Sequence, residues 1–206
     1  AETLPMPTHP GNPLVLGNKR VTLITPTLFR LEYAREGRFL DLPTMFAANR
    51  DSMMQSGYSI EALDGGRSYK IDTGKVRIIL DNDNLPFGQI NTEIHLSRMG
   101  REQKISARNL HSKKRNLNLG GSIATLDAVH GEVPLDDGLL SEDGCYFLID
   151  TGTEVLRDGW FALRDPSHVQ DQYCFVYGDD FHAPFSDLGV ISGRVPMTRK
   201  YVHGIW

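Results

Sequence analysis

The chain has 206 residues, 40% of them hydrophobic and 23% charged, enough apolar material for one substantial core and too much for a disordered chain. Its 22 Lys and Arg against 26 Asp and Glu leave a net charge of -4, so nothing global draws it to nucleic acid or an anionic membrane. No apolar run reaches the ~18 residues of a membrane span, and two cysteines, Cys145 and Cys174, are too few for a disulfide framework and read as buried thiols.

Ala1-Glu2-Thr3 opens the chain without Met or an apolar signal core. The expectation is either a removed leader, with a periplasmic or secreted location, or a chain cut at its ends, with a cytoplasmic one. Residues 20 to 34 alternate apolar and polar on both sides of Thr25-Pro26, the period-two signature of two half-buried strands. The alternation returns in Tyr58 to Ala62, Ser68 to Asp72 and Lys75 to Leu80, with Asp64-Gly65-Gly66 and Thr73-Gly74 as turns, and predicts an antiparallel meander. Asn91 to Ser97, Cys145 to Thr151 and Gln172 to Tyr177 are further strands. About ten short strands punctuated by Gly, Pro, Asn or Asp predict an all-β protein, an antiparallel β-sandwich. The stretch from 99 to 144 lacks alternation and reads as one long loop. After Gly178-Asp179-Asp180, apolar residues at 181, 184, 185, 188 and 191 have helical spacing, which predicts a short helix near the C-terminus. Asp179 or Asp180 would cap it, Gly193 would stop it in the left-handed conformation, and Pro196 would bar its continuation.

Several side-chain groupings suggest chemistry without specifying it. Arg101, Lys104, Arg108, His111, Lys113, Lys114 and Arg115 form a basic stretch, but no aromatic residues interleave to stack bases, so it reads as a solvated loop with no nucleic-acid partner. The seven histidines (9, 95, 111, 130, 168, 182 and 203) show no metal-ligand spacing, and neither metal nor cofactor is expected. Gly120-Gly121 lacks the Lys-Ser/Thr of a phosphate loop and reads as a turn. Asp127, Glu132, Asp136, Asp137, Glu142, Asp143 and Asp150 fall within 24 residues. Glycosidic hydrolysis needs two carboxylates in different environments, and spacing does not choose two of these. Trp160 and Asp127 suit sugar binding, an apolar ring face beside a hydroxyl-pairing carboxylate, although Trp160 reads equally as core and Asp127 as a turn residue.

The irregular segment carries a resemblance. Asn118-Leu119-Gly120-Gly121-Ser122-Ile123-Ala124-Thr125-Leu126-Asp127, then Gly131-Glu132-Val133-Pro134-Leu135 and Gly138-Leu139-Leu140-Ser141-Glu142-Asp143-Gly144, is similar to the N-terminal domain of glycoside hydrolase family 31. Arg30-Leu31-Glu32-Tyr33, Phe39 to Thr44 and Asn49-Arg50 resemble its opening strands. Leu148-Ile149-Asp150, Asp158-Gly159-Trp160 and Asp171 to Gly178 resemble its later ones, so the likeness runs from about residue 14 to 206.

The resemblance implies a galactose-mutarotase-like sandwich over 14–196, preceded by an extension (1–13) and followed by a linker and the start of a (β/α)8 catalytic barrel (197–206). It implies a retaining α-glycosidase of the α-glucosidase or α-xylosidase type whose two catalytic Asp residues both belong to the barrel, so that this chain holds no catalytic residue. The partners it implies are that barrel, in the same polypeptide, and an α-linked glucoside or xyloside. Asp127 is the position that matches a loop residue contacting the terminal sugar. Two stretches depart from the family: Thr125-Leu126-Asp127 stands where many relatives have Asn-Arg-Asp or Asn-Ala-Asp, and Thr198-Arg199-Lys200 where they have Pro-Pro-Arg. Two alternatives stand beside this reading, a free-standing carbohydrate-binding module and a mutarotase-like sugar epimerase. The second requires a His and a Glu converging in the sandwich groove.

Overall fold

The structure, a computed structural model, describes residues 11–50, 52–105, 117–121 and 127–203. A first five-stranded sheet contains β1 (Leu14–Leu16), β2 (Lys19–Leu23), β3 (Leu28–Ala34), β12 (His168–Val176) and β9 (Cys145–Ile149), in that order. A second runs as a meander through β4 (Ser59–Leu63), β5 (Ser68–Asp72), β6 (Val76–Asp81), β7 (Thr92–Arg98) and β8 (Arg101–Ile105). All of these pairings are antiparallel. A separate hairpin joins β10 (Val155–Arg157) to β11 (Trp160–Ala162), and one helix, α1 (Ala183–Ser192), precedes a 3-10 turn at Lys200–His203. The protein is an all-β antiparallel sandwich with a short helix near the C-terminal end of the chain.

Period-two patterning builds the core. Val76, Ile78 and Leu80 of β6 and Ile94 and Leu96 of β7 point inward and meet Val21, Leu23, Phe29, Leu31 and Val176 of the first sheet. Cys145 and Cys174 are buried within this core, as expected. Strands β4 and β5 of the meander also form where the alternation predicted them. Strand β8 does not follow from pattern: four of its five residues are exposed, and pairing with β7 makes it extended. It interrupts the expected loop of 99–144. The rest of the basic stretch, from Arg108 to Arg115, lies outside the described residues.

The outer faces of the two sheets differ. On the second sheet that face is a lattice of cross-strand ion pairs, Lys70 with Glu61, Arg77 with Glu102 (2.6 Å) and Lys104 with Glu93 (2.5 Å). On the first sheet it is covered. Every residue of β3 is buried, against the expected half-burial, because a second cluster of Leu28, Tyr173, Phe175, Tyr177 and Ile191 lies beneath α1 and the segments around Ala47 and Leu140.

The helix begins two residues later than its apolar spacing suggested. The Asp180 carboxylate accepts from the backbone N–H of His182 and Ala183, so the expected acid satisfies first-turn donors although His182 occupies the cap position. Gly193 exits at φ +83° and ψ 167°, positive as expected but extended rather than left-handed helical. Asp187, which the apolar stripe passed over, is buried and accepts from the hydroxyls of Thr25 and Thr27, both at 2.7 Å, locking α1 to the β2–β3 turn.

Two glycines let three backbone segments meet where the sheets approach. Gly144 has φ +72°, and a Cβ there would lie 2.5 Å from the Gly178 carbonyl oxygen. Gly178, at φ +60°, leaves no better room, since its own Cβ would meet the Ser97 carbonyl oxygen at 2.8 Å. Gly144→Ala is expected to cost about 2–3 kcal/mol, lowering the melting midpoint by roughly 5–10 °C. Gly152 has open space around it and serves as the control: its Ala variant should melt within about 2 °C of the parent. Equal midpoints for the two variants in thermal denaturation would refute the close-approach explanation.

Candidate functional site

Four segments cap the outer face of the first sheet and hold the residues singled out in the sequence. The first, around 40–50, is held by charge. The Arg30 and Arg50 guanidiniums donate to the Leu40 carbonyl, and Thr44 bridges to Val155 at the foot of the β10–β11 hairpin. Beneath it lies an ionic cluster that the sequence did not reveal. Asp171 of β12 accepts from Arg30 (2.8 and 3.0 Å), Arg50 (2.8 Å) and Arg164 (2.5 Å). Asp150 pairs with Arg50 and accepts from the Thr44 hydroxyl at 3.1 Å, and Glu32 lies 2.6 Å from Arg20 and 2.7 Å from Arg30. Arg30, Glu32, Asp150 and Asp171 are each no more than 1% exposed. Buried ions persist only when paired and hydrogen-bonded in this way. The sequence signal was there in part: alternation along β3 put Arg30 and Glu32 on one face, but could not say that the face was covered.

Burial alone would raise the Asp171 carboxyl, but Arg30, then Arg50 and Arg164, outweigh it and hold it well below the usual carboxylate range. Glu32, which shares Arg30, is pushed up by burial. Burial also lowers His168, at the start of β12. A His with a depressed folded value contributes stability that is present above its unfolded value, near 6.5, and is lost as pH falls through it. Asp171 contributes stability present above about pH 4 and lost below. Glu32 acts in the opposite sense, gaining on acidification. The clean readout is therefore a comparison: from pH 7 to 5 the melting midpoint of His168→Gln should fall less than that of the parent. Parallel curves in a pH series of thermal melts would contradict this.

The second segment is a stalked loop whose described residues are 117–121 and those from Asp127 onward. Its stalk is built by Asn118, whose side chain accepts from the N–H of Gly120 (2.9 Å) and Gly138 (2.8 Å) and donates to the Gly138 carbonyl (2.8 Å). Gly121 lets the two limbs approach, since a Cβ there would lie 3.2 Å from the carbonyl oxygens of Asp136 and Asp137. The Gly-Gly pair is thus a close backbone approach within the stalk. The Tyr177 hydroxyl accepts from the Ser141 N–H at 2.7 Å and fixes the stalk to the end of β12. Asp127 and the residues 128–132 that follow it are exposed, and Ala128 takes φ +58°. Residues 122–126 lie outside the described residues. Of the seven clustered acids, Asp150 alone is wholly buried, and it is committed to Arg50 and Arg164.

The third segment is the β10–β11 hairpin. Val155 anchors it, while Trp160 is 79% exposed, Phe161 60% and Leu163 89%. Trp160 is therefore not core. Adjacent strand residues point to opposite faces, so the hairpin presents an aromatic ring on each side. The fourth is α1 with the chain after it, where Phe185, Val195, Met197, Tyr201 and Val202 are exposed.

The structure places Asp127 and Trp160 on different supports, the stalked loop fixed at Tyr177 and the hairpin fixed at Thr44, both above the same sheet. A His and two glutamates do converge, but on the other sheet: the His95 ring nitrogens lie 3.2 Å from Glu93 and 3.5 Å from Glu102. Both glutamates are also held by Lys104 and Arg77, as members of the ion-pair lattice. Among the described residues no three His, Cys, Asp or Glu side chains group as metal ligands, and no helix is long and apolar enough to cross a membrane. No family model matches the chain, and no curated protein matches it.

Proposed function

We propose that the chain is the non-catalytic N-terminal sandwich domain of a retaining α-glycosidase, α-glucosidase-like, that packs on a catalytic barrel in the same polypeptide and lends Asp127 to the edge of the sugar pocket. The observation that carries this reading is the asymmetry of the two outer faces. The second sheet offers water a lattice of ion pairs. The segments over the first sheet carry Trp160, Phe161, Leu163, Phe185 and Met197 exposed, whereas Leu85, Ile90 and Met99 are exposed in the turns at the ends of the second sheet and not on its outer face. Exposed apolar groups on the segments that cover a sheet suit association with a partner. The exposed carboxylate on the same layer suits the rim of a pocket completed by the partner, where it would hold a pair of sugar hydroxyls.

The residues that resemble family 31 support the same assignment, since Asn118, Gly120, Gly121, Gly138, Ser141 and Gly144 are the ones that build the stalk and its close approaches. On this reading the domain does no bond-breaking: both catalytic carboxylates are supplied by the barrel, with an α-linked glucoside or xyloside as substrate. Asp127 acts by holding the sugar and excluding water. Steady-state kinetics of the barrel-containing polypeptide with and without Asp127→Ala test this role.

A further inference from the structure

The end of the sandwich opposite the Lys19 end of β2 contains a cleft of about 610 Å3 between the β5–β6 turn and the strap that leaves β12. A second groove of about 350 Å3, running onto the outer face of the second sheet past His95 and Glu102, shares Gly74, Lys75, Leu96 and Ser97 with it. Both volumes fall in the ~300–1,000 Å3 range of small-molecule sites. The geometry points to a binding site for a neutral polyhydroxylated ligand, a saccharide, in this cleft. It goes beyond the proposed function, since neither Asp127 nor the layer over the first sheet takes part.

The walls are rigid before any ligand arrives. The Thr73 hydroxyl organises the β5–β6 turn by accepting from the Val76 N–H at 3.0 Å, and donates to the Pro26 carbonyl at 2.6 Å, tying that turn to the first sheet. Across the cleft, Gly178 is seated against the Ser97 carbonyl, and Asp179 accepts from the Met99 N–H at 2.6 Å. Such walls lose little freedom on binding. Leu96 and Val176, both buried, supply an apolar floor.

Charge selects the ligand. Asp179 is matched by Arg98, and Asp72 and Glu102 by Arg77. That leaves the Lys75 ammonium, the Ser97 hydroxyl and the outward oxygen of Asp180 at the opening, two donors and an acceptor with no net charge. Around the space Asp72, Glu102, Asp179 and Asp180 outnumber Lys75, Arg77 and Arg98 by one, so no excess of positive charge is left to hold a phosphate or carboxylate. Sugars instead pair adjacent hydroxyls with mixed donors and acceptors and lay their C–H face on an apolar floor.

The test is titration of the 206-residue chain with maltotriose, followed by amide chemical shifts and calorimetry, with glucose 6-phosphate as the charged comparison. Saturable binding with a Kd on the order of 1 mM is expected. Shifts should centre on Gly74, Lys75, Ser97 and Gly178. The double variant Lys75→Met/Ser97→Val, at two exposed positions, should raise Kd at least about fivefold, a loss of roughly 1 kcal/mol. Asp127→Ala should leave Kd unchanged. No saturation at about 20 mM maltotriose, a double-variant Kd within about threefold of the parent, or tighter binding of glucose 6-phosphate would each overturn the site. A failure here leaves the α-glycosidase reading standing, because that reading is tested through Asp127 and the size of the native polypeptide.

Discussion

Replacing Asp171 with Ala is expected to destabilise the sandwich by about 3–5 kcal/mol and lower its melting midpoint by roughly 10 °C. The size follows from what the carboxylate holds. Three guanidiniums donate to its two oxygens, and none of Arg30, Arg50 and Arg164 has more than 7% of its side chain open to solvent. Removing one acid leaves buried positive charge without its partner, and stranding an ion is far more costly than the net worth of the pair. Asp171→Asn should be nearly as damaging, because an amide keeps the shape but not the charge. The loss should concentrate in the layer that caps the first sheet. Arg50 and Arg164 tie the 40–50 segment and the β10–β11 hairpin to β12, so hydrogen exchange at 40–50 and 153–164 should rise more than in the meander. A loss below about 1 kcal/mol would mean that water reaches the cluster and that the hairpin is positioned by something else.

Replacing Asp127 with Ala in the barrel-containing polypeptide is expected to lower kcat/KM for an α-glucoside by about 10- to 100-fold. That is the kinetic equivalent of roughly 1.5–3 kcal/mol for a charged hydrogen bond to the sugar. The residue is exposed, and the stalk's hydrogen bonds are made by Asn118, Ser141 and Tyr177, so the variant should remain folded, with a thermal melt as the check. The division between constants is informative. A rise in KM at constant kcat means that Asp127 holds substrate and transition state alike, while a fall in kcat means that the contact strengthens as the bond breaks. Unchanged kinetics would remove Asp127 from the pocket.

Much of the sandwich was legible because alternation is a local signal. Lys75 to Leu80 places Val76, Ile78 and Leu80 on one face whatever the rest of the chain does, and the core follows. The covering layer was not legible, for the same reason. Whether Arg30 and Glu32 face water depends on Thr44, Arg50 and Asp150, up to 120 positions away, and no local pattern encodes that. Strand β8 shows the converse, a polar and exposed segment made extended by its neighbour. The helix followed from its apolar spacing and from Asp179 or Asp180 as its cap, and the structure selects Asp180 as the acceptor of its first-turn N–H groups. Its deepest anchor, Asp187 between Thr25 and Thr27, is a polar residue where the stripe admitted only apolar ones.

The candidate site divides similarly. Asp127 was singled out by resemblance, and its exposure on a built stalk is consistent with the role proposed for it. Gly120-Gly121 was read as a turn, but its packing reason is the approach of limbs that are sixteen residues apart at Gly121 and Asp137. The cleft beside Lys75 and Ser97 left no trace in the sequence, because it forms where turns from two different sheets meet.

The most direct test of the central proposal is the size of the native polypeptide, by immunoblot of the source cells with an antibody raised against this chain, which itself has a mass of 23.1 kDa. A catalytic barrel adds roughly 250 residues or more, so the account predicts one band of at least about twice the mass of the chain. A native band at 23 kDa would contradict it and leave a free-standing sugar-binding module.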